Sequence, residues 1–245
     1  MKRIFGILLI LLLLFCGCAR EAEQETHPTQ VETVFQGEAI AETSNPPETT
    51  PTTMQPTTAP EPEETDFVLI SDYIPNIVID LKYATTDNFT GKIIYESDEA
   101  YLRYGTVKKL IQVQAELEKL GLSLKLWDGY RPPTAQFKLW DICPDANYVS
   151  DPNKGFSSHS RGNTVDVTLV DLNGLDVDMP TGFDYFTKRA DRDYSDCSQN
   201  QRENALLLEE LMTRYGFKPY ANEWWHYSDT VKYEVAYDIN EGADS

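Results

Sequence analysis

Residues 19 to 65 hold seven of the chain's 14 prolines, ten glutamates and almost no large apolar side chains. A stretch of that composition cannot bury enough apolar surface to offset the entropy of ordering it, so it is expected to be a disordered Thr/Pro/Glu-rich tether. Whatever folds must come from residues 66 to 245, about 180 residues, the size of one ordinary domain. Charge excludes one class of partner. Of the formal net charge of −19, Lys2 and Arg3 contribute two positive charges and the tether nine net negative ones, which leaves −12 on the domain. A domain that acidic, with no basic cluster, is not built to bind nucleic acid.

Ahead of the tether stands MKRIFGILLILLLLFCGCAR, two basic residues, an apolar run from Ile4 to Phe15 and a small-residue end. This is the pattern of an export signal, and the run is short for a membrane span. Phe15-Cys16-Gly17-Cys18 resembles a bacterial lipobox, with Phe15 where Leu is common. Residues 1–18 are therefore expected to be a lipoprotein-type signal peptide with Cys18 acylated. The mature chain would then sit at the outer face of the bacterial cytoplasmic membrane, joined to it by a lipid anchor.

Within the domain, Ile77, Ile79, Leu81 and Tyr83 alternate and predict a strand over 76 to 83. Val107, Leu110, Ile111, Leu117 and Leu120 fall at helical spacing before Gly121, and Leu207, Leu208, Leu211 and Met212 repeat that pattern before Gly216. Strands are expected at about 122 to 127, 164 to 170 and 223 to 228. This order fits an α+β fold, a single domain of helices packed on a mostly antiparallel central sheet. Cys143 and Cys197 are the domain's two cysteines, outside any metal-binding spacing, and their pairing is left open.

The chain has three histidines, and His27 lies in the tether. The other two sit in SSHSRGNTVDV and NEWWHYS. A lone His or Asp in a globular domain is ordinarily a surface or satisfied polar group. Here they come in company. Ser157, His159, Gly162 and Asp166 form S-x-H-x-x-G-x-x-x-D, and Glu223 precedes His226 by three. A hydrolytic zinc takes three nitrogen or oxygen ligands and keeps a fourth position open, and His159, Asp166 and His226 supply that set. Glu223 is a carboxylate placed to take a proton. A spacing of three puts two side chains on opposite faces of a regular strand, so the chain is expected to bend between Glu223 and His226. Glu223 would then lie in an irregular segment ahead of the strand, with Trp224 and Trp225 packing the bend. In WDGYRPP, Asp128 and Arg131 follow the strand that ends at Trp127, where Arg131 offers a planar fork of donors and Asp128 can orient it.

The segments KYATTDNFTGK, WDGYRPP, SSHSRGNTVDVTL, GFDYF and NEWWHYS, in this order, resemble the D-alanyl-D-alanine dipeptidases of the vancomycin-resistance type, within the zinc D,D-peptidases. The likeness covers roughly residues 66 to 235. It implies one zinc per chain on His159, Asp166 and His226, with Glu223 as general base and Arg131 as the residue that stabilises the transition state. It also implies that Asp184 receives the substrate ammonium and that Ser157 and Tyr83 line the pocket. The segment between WDGYRPP and SSHSRG is shorter than in the resistance dipeptidases, and that loop is expected to border the pocket.

The expected function is zinc-dependent hydrolysis of D-Ala-D-Ala or a related D-amino-acid dipeptide in cell-wall metabolism, with peptidoglycan fragments as the alternative partner. Two rivals remain: a D,D-carboxypeptidase or endopeptidase acting on stem peptides, and a zinc-dead peptidoglycan-binding module. The presence of all four metal-site groups counts against the second.

Overall fold

The computed structural model describes residues 60–239. The signal peptide, Cys18 and all of the tether before residue 60 lie outside the described residues. Strand β1 (Phe67–Leu69) runs into the short helix α1 (Ile70–Tyr73), followed by β2 (Val78–Ile79), β3 (Tyr101–Arg103), α2 (Tyr104–Lys119) and β4 (Leu122–Asp128). Then come α3 (Pro133–Ile142), β5 (Thr164–Asp171), α4 (Gln199–Arg214), β6 (Phe217–Tyr220) and β7 (Glu223–Asp229). Five strands form the central sheet in the order β2-β4-β5-β7-β6, while β1 and β3 make a separate antiparallel pair. Only β2 runs parallel to its neighbour; the other three pairings are antiparallel. The α+β reading with a mostly antiparallel sheet therefore holds.

Both long helices form where the apolar spacing places them. Val107, Leu110, Val113 and Leu117 bury one stripe of α2, which ends before Gly121 at φ 76°. Helix α4 opens with a reciprocal capping box, Ser198 with Gln201, and closes before Gly216 at φ 88°. Both pack on the sheet, α2 against β4 and α4 against β5, β6 and β7. Strand β5 is buried from Thr164 to Val170. Its apolar residues Val165, Val167 and Leu169 alternate with Asp166 and Thr168, so the one carboxylate in its middle faces away from that row.

The strand predicted over 76 to 83 is only partly formed. Ile77, Leu81 and Tyr83 are buried as the alternation implies, yet only Val78 and Ile79 pair with β4, and Lys82–Ala84 turns as a 3-10 helix. Burial kept the pattern; the turn that carries Tyr83 off the sheet edge ended the ladder. Both domain cysteines are free thiols. No helix among the described residues is long and apolar enough to cross a membrane.

Candidate metal centre and active site

Asp128, Asp166 and His226 stand in one row across the three central strands. Asp166 is paired with His226 across β5 and β7, and with Asp128 across β5 and β4. Directly opposed residues of antiparallel strands share a face, so the row gathers three polar groups on one side of the sheet. An irregularity makes this possible. Leu126 opposes Val167 while Asp128 opposes Asp166, so β4 spends two residues where β5 spends one. Without that bulge at Trp127, the indole and not the carboxylate would oppose Asp166.

His159 reaches the row from the loop before β5. It sits in a 3-10 turn, Ser158–Arg161, whose cap is Ser157; the Ser157 hydroxyl oxygen accepts from the His159 amide at 3.4 Å. Gly162 ends the turn at φ 72° and donates its amide to the His159 carbonyl at 3.0 Å. A Cβ at Gly162 would run into the Phe67 ring, so both conformation and space demand glycine there.

The ligand atoms converge. His159 Nε2 lies 3.3 Å from Asp166 Oδ2, His226 Nδ1 lies 3.0 Å from Asp166 Oδ1, and the two ring nitrogens are 3.4 Å apart. A tetrahedral zinc with bonds of 2.0–2.1 Å separates neighbouring ligand atoms by about 3.3 Å, so the set fits that ion. Two further observations favour a metal over a plain ion-pair cluster. Asp166 Oδ1 is buried with no hydrogen bond of acceptable geometry despite its closeness to His226. In addition, His159 Nδ1 donates to the Gly129 carbonyl at 2.8 Å; a carbonyl can only accept, so Nε2 presents its lone pair to the cluster. Among the described residues, these three form the one such group with metal-ligating spacing. Burial opposes the charge of Asp166, but the two histidines hold its carboxyl well below the ordinary range.

Glu223 is the first residue of β7, and its Oε2 lies 3.5 Å from His226 Nδ1. The expected irregularity lies beside it, with a difference: Glu223 belongs to the strand, and the break is in the β6 pairing. Pro219 opposes Tyr227 and Tyr220 opposes Glu223, so one step along β6 spans four along β7. Trp224 and Trp225, inside that break, are fully buried and pack edge-on to each other and to Trp127. Burial, with the charge of Asp166, raises the Glu223 carboxyl above its ordinary range.

Arg131 is pinned. Its Nε and Nη2 donate to Asp128 Oδ2 at 3.1 and 2.5 Å, and Nη1 donates to Gln136 Oε1 at 3.2 Å. Across the site, Asp184 sits at φ 50°, a left-handed conformation that a non-glycine residue adopts at a cost, and accepts the Tyr83 hydroxyl at 2.6 Å. Burial pushes its carboxyl up to about 8, against the Tyr83 hydrogen bond and with help from the charge of Asp166. Tyr83, Arg131, Ser157, His159, Asp166, Asp184, Glu223 and His226 all line one cavity of about 450 Å³. The short loop after α3 borders it too, through Ala146, Asn147, Tyr148 and Ser150. Gln136, the Gly129 carbonyl and Tyr95 escaped the sequence reading. Nothing in the pattern marks an amide, a backbone oxygen or one of 14 tyrosines.

Comparison with known proteins identifies the family. The Peptidase M15 family, described as D-ala-D-ala dipeptidase, matches residues 63–240. The chain is 38% identical over 165 residues to D-alanyl-D-alanine dipeptidase of Escherichia coli (strain K12), spanning 67% of this chain and 85% of that one. It is 35% identical over 184 residues to D-alanyl-D-alanine dipeptidase of Enterococcus faecium, spanning 67% and 91%. A solved structure of VanYB in complex with D-alanine-D-alanine is 18% identical with a TM-score of 0.36, over 58% of this chain and 75% of that one, a likeness too loose to argue from. The chain belongs to the M15 peptidase family of D-Ala-D-Ala dipeptidases, and it is a metallopeptidase.

Proposed function

We propose that this chain hydrolyses D-Ala-D-Ala, or a closely related D-amino-acid dipeptide, in bacterial cell-wall metabolism, with one zinc held by His159, Asp166 and His226. The observation that carries the reading is the meeting of that ligand set with Glu223, Arg131 and Asp184 around one cavity. Zinc bound there would supply a Lewis acid that polarises the scissile carbonyl and acidifies water. Glu223, beside His226 and with a raised proton affinity, takes a proton from the attacking water and delivers it to the leaving amine. Arg131, held by Asp128 and Gln136, stabilises the negative charge that grows on the carbonyl oxygen. Asp184 receives the substrate ammonium, Tyr83 orients that carboxylate, and Ser157 fixes the turn that carries His159 while facing the substrate.

A cavity with a half-buried carboxyl at one end favours a free amino terminus, so dipeptides should outrun blocked or longer chains. Turnover of D-Ala-D-Ala, L-Ala-L-Ala, L-Ala-D-Glu and N-acetyl-D-Ala-D-Ala by the full chain tests this. Free D-Ala-D-Ala should be far preferred over its acetylated form, since acetylation removes the ammonium that pairs with Asp184, and losing one partner of a buried charge pair costs roughly 2–5 kcal/mol. Equal rates on the two would discard the dipeptidase reading in favour of a carboxypeptidase.

The reading extends to location on the sequence alone: residues 1–18 direct export, Cys18 carries a lipid, and the tether holds the domain at the outer face of the membrane. From there the enzyme meets wall fragments and not newly made cytoplasmic dipeptide, so fragment turnover or scavenging is its role.

A further inference from the structure

We propose that Tyr95, which does not line the cavity, is a positioning residue that fixes two of its sides at once, Arg131 through Asp128 and Asp184 through Tyr83. The proposal rests on the charge-stabilising role given to Arg131 above. Asp128 is fully buried, and each of its oxygens is taken. Oδ2 accepts from Arg131, while Oδ1 accepts the Gly129 amide at 2.9 Å and the Tyr95 hydroxyl. A buried carboxylate depends on such donors, and its orientation sets where the guanidinium points. Burial lifts the Tyr95 phenol well above its ordinary value, so the hydroxyl remains a donor at any working pH.

The second arm is made by the ring and the backbone. Tyr95 packs edge-on to Tyr83 with centroids 5.7 Å apart, and the amides of Ile94 and Tyr95 both donate to the Tyr83 carbonyl at 2.9 Å. Tyr83 in turn donates to Asp184 and lies under the Arg131 guanidinium, 5.0 Å from its ring centre. Hydroxyl and ring therefore serve different ends of the substrate, and substitution can separate them. Phenylalanine keeps the ring against Tyr83 and removes only the donor to Asp128. Leucine removes both.

Steady-state kinetics on D-Ala-D-Ala with the full-length, zinc-saturated chain provide the test, using Tyr95→Phe, Tyr95→Leu, Arg131→Ala and the double variant Tyr95→Phe with Arg131→Ala. Tyr95→Phe should lower kcat about tenfold with KM near that of the wild type, the effect of losing one hydrogen bond to a buried charge. Combined with Arg131→Ala it should add no further loss, because its effect passes through that guanidinium. Tyr95→Leu should also raise KM. The inference is overturned if Tyr95→Phe keeps normal kcat while Arg131→Ala is impaired, or if the two losses multiply, as a purely structural role requires. Unchanged kcat in Arg131→Ala itself would instead remove the role given to Arg131, and this inference with it.

Discussion

Glu223 and Asp184 are both carboxyls with raised proton affinity, set to different work by what surrounds them. Glu223 borders the ligand cluster, and if it is the proposed general base, Glu223→Gln should keep zinc and lose ~10²–10⁴-fold in turnover. Near-normal kcat in that variant would move the base elsewhere. Asp184 has a pH signature. Its folded pKa of about 8 exceeds the ordinary carboxyl value, so between about pH 4 and 8 the folded chain holds a proton that the unfolded chain has released. That contribution to stability is present below the unfolded pKa and is lost as pH rises through the folded one. Melting temperatures at pH 5 and pH 8 should therefore fall more for the wild type than for Asp184→Asn; equal falls would refute the raised pKa. The residues that the sequence exposed are those with scarce chemistry. With three histidines in the chain, two of them beside carboxylates, the ligand set was legible. Asp128 was legible only as a partner for Arg131, because its place opposite Asp166 depends on a bulge that no residue type announces.

Elements were legible where periodicity met a stop signal. Helices α2 and α4 end before Gly121 and Gly216 because those glycines adopt the left-handed conformation that closes a helix. The interrupted strand near Tyr83 and the register jump between β6 and β7 were misjudged in extent. Both are set by tertiary packing, the first by the buried Tyr83 and the second by the paired indoles of Trp224 and Trp225. The turn that presents His159 offers a sharp test at this scale. Gly162→Ala imposes both a left-handed alanine and a clash with Phe67, together roughly 2–5 kcal/mol. Chemical denaturation should show that loss, with weakened zinc retention because His159 rides on the same turn. A stable variant with normal metal content would mean that the turn is held by something other than Gly162.

For the whole molecule, segment order carried the family. The proposed lipid anchor would rest on Cys18. The full chain expressed in a bacterium should sediment with membranes, and Cys18→Ser should release it; a chain that sediments equally well without the cysteine is held some other way. One zinc on His159, Asp166 and His226 is what is proposed to make this fold a peptidase. Metal content and D-Ala-D-Ala turnover measured on the same preparation, before chelation, after it and after zinc is restored, test it most directly. Close to one zinc per chain is expected, with turnover lost with the metal and regained with it, and neither metal nor turnover in His159→Ala. Turnover that survives complete removal of the metal, or a His159→Ala chain that still binds one zinc and works, would contradict it.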